Sequence, residues 1–248
     1  MNIIFSELRR GLGLRFWLAA LASMAFIFVG YFQPLLHFQQ QGGCIPQGNH
    51  APLFSNALSS DTLVSFLPIL AAIPLAAGYL EDIKSKFARF LLVRGSYGEY
   101  LVGQMLACWL CGGLAVVLGA GVVYGLMVLL LTPIERVVTN NAPAEVHIGG
   151  QLVLLALNGG LWGVLGMTLS SIMESKYIAY ASPFITYYLL IILYERYFPG
   201  AWLLYPKNWL NPEIWPYGIG SATLFLLELT FLCGLLFYIR GKRRLENL

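Results

Sequence analysis

Charge is scarce in this chain. Only 11% of its 248 residues are Asp, Glu, Lys or Arg, less than half the share of an ordinary soluble domain. That excludes a soluble globular fold. Disorder is excluded as well, because it needs low hydrophobicity and high charge, and 58% of these residues are hydrophobic. Histidine is equally sparse: His37, His50 and His147 stand far apart, without the spacing of a metal site. The four cysteines, Cys44, Cys108, Cys111 and Cys233, are too few and too scattered for a disulfide framework. Cys108 and Cys111 resemble a redox pair, but they lie three apart on an apolar run beside Trp109. Pairing within one helix is geometrically poor, so packing is their expected role. The chain has no phosphate loop; Gly241-Lys242 lacks the upstream glycine. It also has neither H-E-x-x-H nor G-x-S-x-G. The sequence therefore predicts no catalytic residue, no metal, no cofactor and no nucleic-acid partner in this chain.

What is present is apolar sequence in long runs. The mean hydropathy is +0.70, with 26 glycines and 14% aromatics. Glycine permits close helix packing in membranes, and Trp and Tyr favour their interfaces. About 20 apolar residues cross a bilayer. Charge-free runs mark six spans, at about 16–38, 62–80, 100–133, 148–173, 177–194 and 219–239. The expected fold is an all-α polytopic membrane protein in one transmembrane domain. The third run is long for one crossing: 35 residues at about 1.5 Å each reach about 52 Å, against a hydrocarbon core of about 30 Å. Gly112, Gly113, Gly119, Gly121 and Gly125 are candidate bend or break points.

Charge distribution decides the count. With six spans, one side holds Arg9, Arg10, Arg15, Lys84, Lys86, Arg89, Arg94, Lys176, Arg240, Lys242, Arg243 and Arg244. The other holds only Arg136, Arg196 and Lys207. The positive-inside rule then predicts both termini in the cytoplasm. Splitting the third run would place the C-terminal basic cluster outside. A cleaved signal peptide is the rival at the N-terminus, although the apolar run after Arg15 exceeds the usual length of about 7–15 residues.

The segments between spans carry further expectations. Ile4, Phe5, Leu8 and Leu12 recur at helical spacing, with Glu7, Arg9 and Arg10 largely off that stripe. Residues 1–15 therefore read as an amphipathic helix lying on the inner leaflet. Segment 39–61 reads as an exposed outer loop. In segment 81–99, Phe87, Phe90, Leu91 and Arg94 fall at helical spacing and suit a short helix buried in a partner groove. Segment 196–217 is too rich in proline for one helix and reads as short broken helices. Its Trp209 and Trp215 belong to an outer gate or to a simple aromatic belt. Glu228 is the single acid inside a span, a position that marks a cavity or a structural hydrogen bond.

Four features together resemble the membrane-spanning permease of ABC-2 type exporters, in the small six-span bacterial form. They are Phe5-Ser6-Glu7-Leu8-Arg9-Arg10 before span one; Pro68 to Pro74 followed by Tyr79-Leu-Glu-Asp82; Arg94-Gly-Ser96 with Tyr100; and Asn211-Pro212 with Trp215 before span six. Where family members carry a lysine after the Tyr100 position, this chain has Gln104. The resemblance implies a homodimer or heterodimer of permeases in the bacterial cytoplasmic membrane, in contact with its lipids. It also implies two separate ABC ATPase subunits, which bind the ATP. It makes residues 82–94 a coupling helix, with Phe87, Phe90, Leu91 and Arg94 contacting the ATPase, and Ile3–Leu14 the interfacial helix. Glu228, Trp209 and Trp215 would line a cavity or gate. The alternative is an ATPase-independent membrane protein, such as an immunity or scaffold protein.

Overall fold

The structure, a computed structural model, describes residues 3–40, 50–87, 96–132 and 147–246. All regular elements among them are helical. They run α1 (Ile3–Gly11), α2 (Leu14–Gln40), α3 (His50–Leu58), α4 (Asp61–Ala72), α5 (Gly78–Lys84), α6 (Tyr97–Leu131), α7 (Ile148–Met173), α8 (Lys176–Ile192) and α9 (Ile219–Glu246). Five of these, α2, α6, α7, α8 and α9, are long and apolar enough to cross a membrane, and α3 with α4 forms a sixth candidate bent by 58°. The chain is a multi-pass helical membrane protein.

Local chemistry sets the helix ends. The Ser96 hydroxyl accepts a hydrogen bond from the Glu99 N–H at 3.2 Å, which caps α6 and satisfies one of its free amides. Ser60 does the same for α4 through Leu63 N–H at 3.4 Å. Between α4 and α5, Pro74 has no N–H to donate, and residues 73–77 form turns. Helix α7 ends where Glu174 takes a left-handed φ of 56°, so that α8 starts almost at once.

α7 is the central helix. It packs on α6, α9, α8 and α4. The α6 contact is backbone on backbone. A Cβ at Gly113 would stand 2.4 Å from the Ala156 carbonyl oxygen, and one at Gly112 would stand 3.0 Å from that of Gly159 and 2.8 Å from that of Ala71 in α4. These glycines were candidate bend or break points of the third run. They do not break it: α6 is one helix of 35 residues, and Gly112, Gly113 and Gly119 admit neighbouring helices. Outward faces carry Trp17, Leu21, Val122, Leu129, Ile185 and Phe231, all exposed, as lipid contact requires.

Segment 39–61 departs from expectation. It is not simply an exposed loop, because His50–Leu58 is helical and buries Leu53, Phe54, Ala57 and Leu58. Phe54 meets Tyr124 of α6 at 4.9 Å between ring centroids, and Ser55 accepts a hydrogen bond from Gln151 at the start of α7. The burial of those apolar side chains holds α3 inside the bundle.

Candidate functional site

Polar contacts gather at the two ends of the bundle. At one end, α1 folds back on α5 and α6. Its inward face is Glu7 and Gly11, both buried, while Phe5 is 66% exposed. The polar side of the N-terminal helix is thus the side that docks on the bundle, and part of the predicted apolar stripe points away from it. Gly11 allows the approach: a Cβ there would stand 2.5 Å from Cys111 Sγ. Cys108 and Cys111 are free, buried thiols, in packing positions.

Glu7, Arg10, Asp82, Tyr100 and Gln104 meet at this joint. Arg10 Nη1 donates to Asp82 Oδ1 at 2.5 Å and lies 3.7 Å from Glu7 Oε2. The Tyr100 hydroxyl donates to Asp82 Oδ2 at 2.9 Å. With its nitrogen turned to Glu7, the Gln104 amide donates to Oε2 at 2.7 Å and accepts from the Tyr79 N–H at 3.0 Å. Glu81, next to Asp82, pairs with Arg15 at 3.1 Å and Lys176 at 3.7 Å. Burial pushes the Glu7 carboxyl up to about 7; the Asp82 charge adds to this and Arg10 opposes it. Burial also raises Asp82, against the lowering effect of Arg10 and the hydrogen bonds it accepts.

The joint ties together segments far apart in sequence. Arg244 of α9 lies 3.2 Å from Glu174, two residues before Lys176. Segments carrying Arg10, Arg15, Glu81, Lys176 and Arg244 therefore share one end of the bundle, as the six-span count requires. At the opposite end Lys207 pairs with Asp61 at 2.5 Å.

Four of the expected site residues concern the segment after α5. Within the described part of 82–94, residues 82–87, the chain is not one helix. Asp82 belongs to α5 and points into the joint, and Lys86 takes a left-handed φ of 61°, which breaks the helix after Lys84. Phe87 follows and is 46% exposed. Phe90, Leu91 and Arg94 lie outside the described residues.

The end opposite the joint carries an aromatic cap. After α8 the chain makes a π turn, Leu193–Tyr197, then 3-10 turns at Trp202–Leu204, Pro206–Leu210 and Pro212–Ile214. These are the short broken helices that the prolines predict. Trp209 stacks on Trp162 of α7 at 5.7 Å and 22°, and Trp202 meets Trp215 edge-on at 4.9 Å. Trp209 and Trp215 are both buried, with their indole N–H groups donating to the Leu203 and Asn208 carbonyls at 2.9 Å. These rings face inward, unlike those of an interfacial belt; Tyr197 and Tyr217 are the outward ones. Beneath Trp209 and Trp162 lies an apolar cavity of about 240 Å³, lined also by Leu161, Leu190, Phe225 and Leu229. Glu228 does not line it. That residue is exposed on α9, without a hydrogen-bond or ion-pair partner among the described residues.

The sequence reading missed Glu7, Arg10 and Asp82 as a unit. The available signal was two clusters of acid, Glu7 and Glu81-Asp82, within otherwise basic segments. No protein-family model matches the chain, and no curated protein matches it.

Proposed function

We propose that the chain is the transmembrane subunit of an ATP-binding-cassette exporter, working as a dimer and driven by separate ATPase subunits. It crosses the membrane six times, with residues 62–80 (α4, the turn at 73–77 and the start of α5) as the second crossing and both termini in the cytoplasm. The observation that supports this most is the joint at the end where the basic segments meet. The exposed Phe87 follows α5 directly, and α5 is bound through Asp82 to α1 and to α6. A partner pulling on the segment after Lys86 would move three helices together. Under this reading Phe87, Phe90, Leu91 and Arg94 contact the ATPase, α1 lies along the inner membrane surface, and the cavity under Trp209 belongs to the translocation path.

The test is affinity purification of the tagged chain from its native membranes in mild detergent, with mass spectrometry of what accompanies it. The expected companion is a phosphate-loop ATPase at about one copy per permease. If none is recovered where a known permease keeps its own, the exporter reading fails and the ATPase-independent alternative stands.

A further inference from the structure

Four basic residues crowd the last turns of α9, and they divide into two pairs. Lys242 lies 4.0 Å from Glu246. Arg244 lies 3.2 Å from Glu174 and donates to the Ser171 carbonyl at 3.4 Å. Arg240 and Arg243 are exposed and have no acidic partner among the described residues. Three residues apart, they share a helix face. Leu236 and Ile239 continue that face, and Ile172 of α7 stands opposite.

These five residues line an open groove of about 380 Å³. No carboxylate among the described residues lines it. A general excess of positive charge at this end accounts for basic residues here, but not for the placing of both unpaired guanidinium groups on the groove. The Arg244 contacts bring the end of α9 level with the end of α7. Leu236 is about one turn, roughly 6 Å, further into the bundle than Arg240. The groove therefore runs from a charged rim to an apolar floor, the sequence that a headgroup and its acyl chain present.

We infer that this groove binds an anionic phospholipid. Arg240 and Arg243 hold the phosphodiester, since a guanidinium fork matches phosphate oxygens in paired hydrogen bonds. Leu236, Ile239 and Ile172 carry the first part of an acyl chain. Basic pockets between spanning helices on the cytoplasmic side suit such headgroups. Free phosphate would gain nothing from the apolar floor, and a zwitterionic lipid carries its own cation beside the phosphate. The inference needs only that the chain crosses a membrane, and it stands or falls apart from the exporter reading.

The test is thermal melting of the full-length protein in neutral detergent, titrated with dioleoylphosphatidylglycerol, dioleoylphosphatidylcholine or inorganic phosphate. Phosphatidylglycerol should raise the melting temperature more than phosphatidylcholine, and phosphate should leave it unchanged. The double variant Arg240→Gln/Arg243→Gln should weaken the apparent affinity for phosphatidylglycerol about tenfold or more. Lys242→Gln, off the groove, should keep the wild-type response. Equal shifts from the two lipids overturn the inference, as does a shift reproduced by phosphate alone, a double variant that responds as wild type, or Lys242→Gln acting as strongly as the double variant. If the double variant does not fold, Leu236→Trp fills the floor and leaves the charges in place. It should weaken the phosphatidylglycerol response to a similar degree, and an unchanged response overturns the inference.

Discussion

Glu7→Gln exchanges a buried carboxyl for a neutral side chain of the same shape, one that still meets Gln104. In the folded protein Glu7 titrates at about 7, against 4.5 for the free side chain, chiefly because burial penalises its charge. Between those values the folded state holds a proton that the unfolded chain has released, so stability falls as pH rises through this window. Below 4.5 both states are protonated and nothing is lost. Above about 7 the loss is complete, and it amounts to at most about 3 kcal/mol. For a chain of this size that is a melting shift of at most roughly 6–12 °C. Asp82, whose carboxyl burial also raises, acts in the same direction. The assay is thermal melting in detergent from about pH 5 to pH 8 for both proteins, a range that covers most of the Glu7 titration. Wild type should lose stability over this range. Glu7→Gln should lose much less and should melt higher than wild type at the alkaline end. Parallel curves would refute the reasoning, because the pH dependence would then arise elsewhere.

Other perturbations test other parts. Asp82→Asn removes a carboxyl that burial raises, while Arg10 keeps Glu7 and Glu81 within 3.8 Å; it should flatten the loss of stability with rising pH, and melting curves that keep the wild-type pH dependence would show that Asp82 does not contribute to it. Gly113→Leu places a side chain where the Ala156 carbonyl stands and should destabilise by about 1–3 kcal/mol or more, with aggregation on size-exclusion chromatography as the readout. Trp209→Ala empties the cap beside an existing cavity and should cost about 3–5 kcal/mol; a melting temperature equal to wild type would show the cap to be peripheral. Phe87→Ala/Phe90→Ala should abolish ATP-driven transport in reconstituted vesicles while leaving melting unchanged, and full transport by this variant would sink the coupling assignment.

The long apolar runs were legible because a membrane leaves few alternatives to a helix. Residues 148–173 form a helix with those bounds, and 100–133 corresponds to Tyr97–Leu131. The last helix runs past Ile239 to Glu246, because solvated basic residues extend a helix as readily as they end one. α3 was not legible: nine residues with Pro52 and Asn56 fall short of any span, and only burial against Tyr124 and α7 fixes them as helix. The joint was hidden for a different reason. Arg10 and Asp82 are 72 residues apart, and each alone resembles an ordinary solvated charge. Hydrophobic pattern reports which face of α1 is apolar, but not that the polar face docks. For Glu228 the sequence located the acid within an apolar helix, but its facing away from the cavity depends on how α9 rolls against α7.

Where α6 crosses α7, Gly112 and Gly113 present bare backbone to Ala156 and Gly159, and about one turn away the Trp109 ring seats on Gly160. A seam of this kind resists separation, and gliding along its bare stretch must first lift the Trp109 ring off Gly160. Its two ends are held quite differently, one by charge and one by stacked indoles. Sliding along the seam is then limited by that ring and by whichever end lets go first. Cysteine pairs placed across the seam at successive registers would record how far it travels.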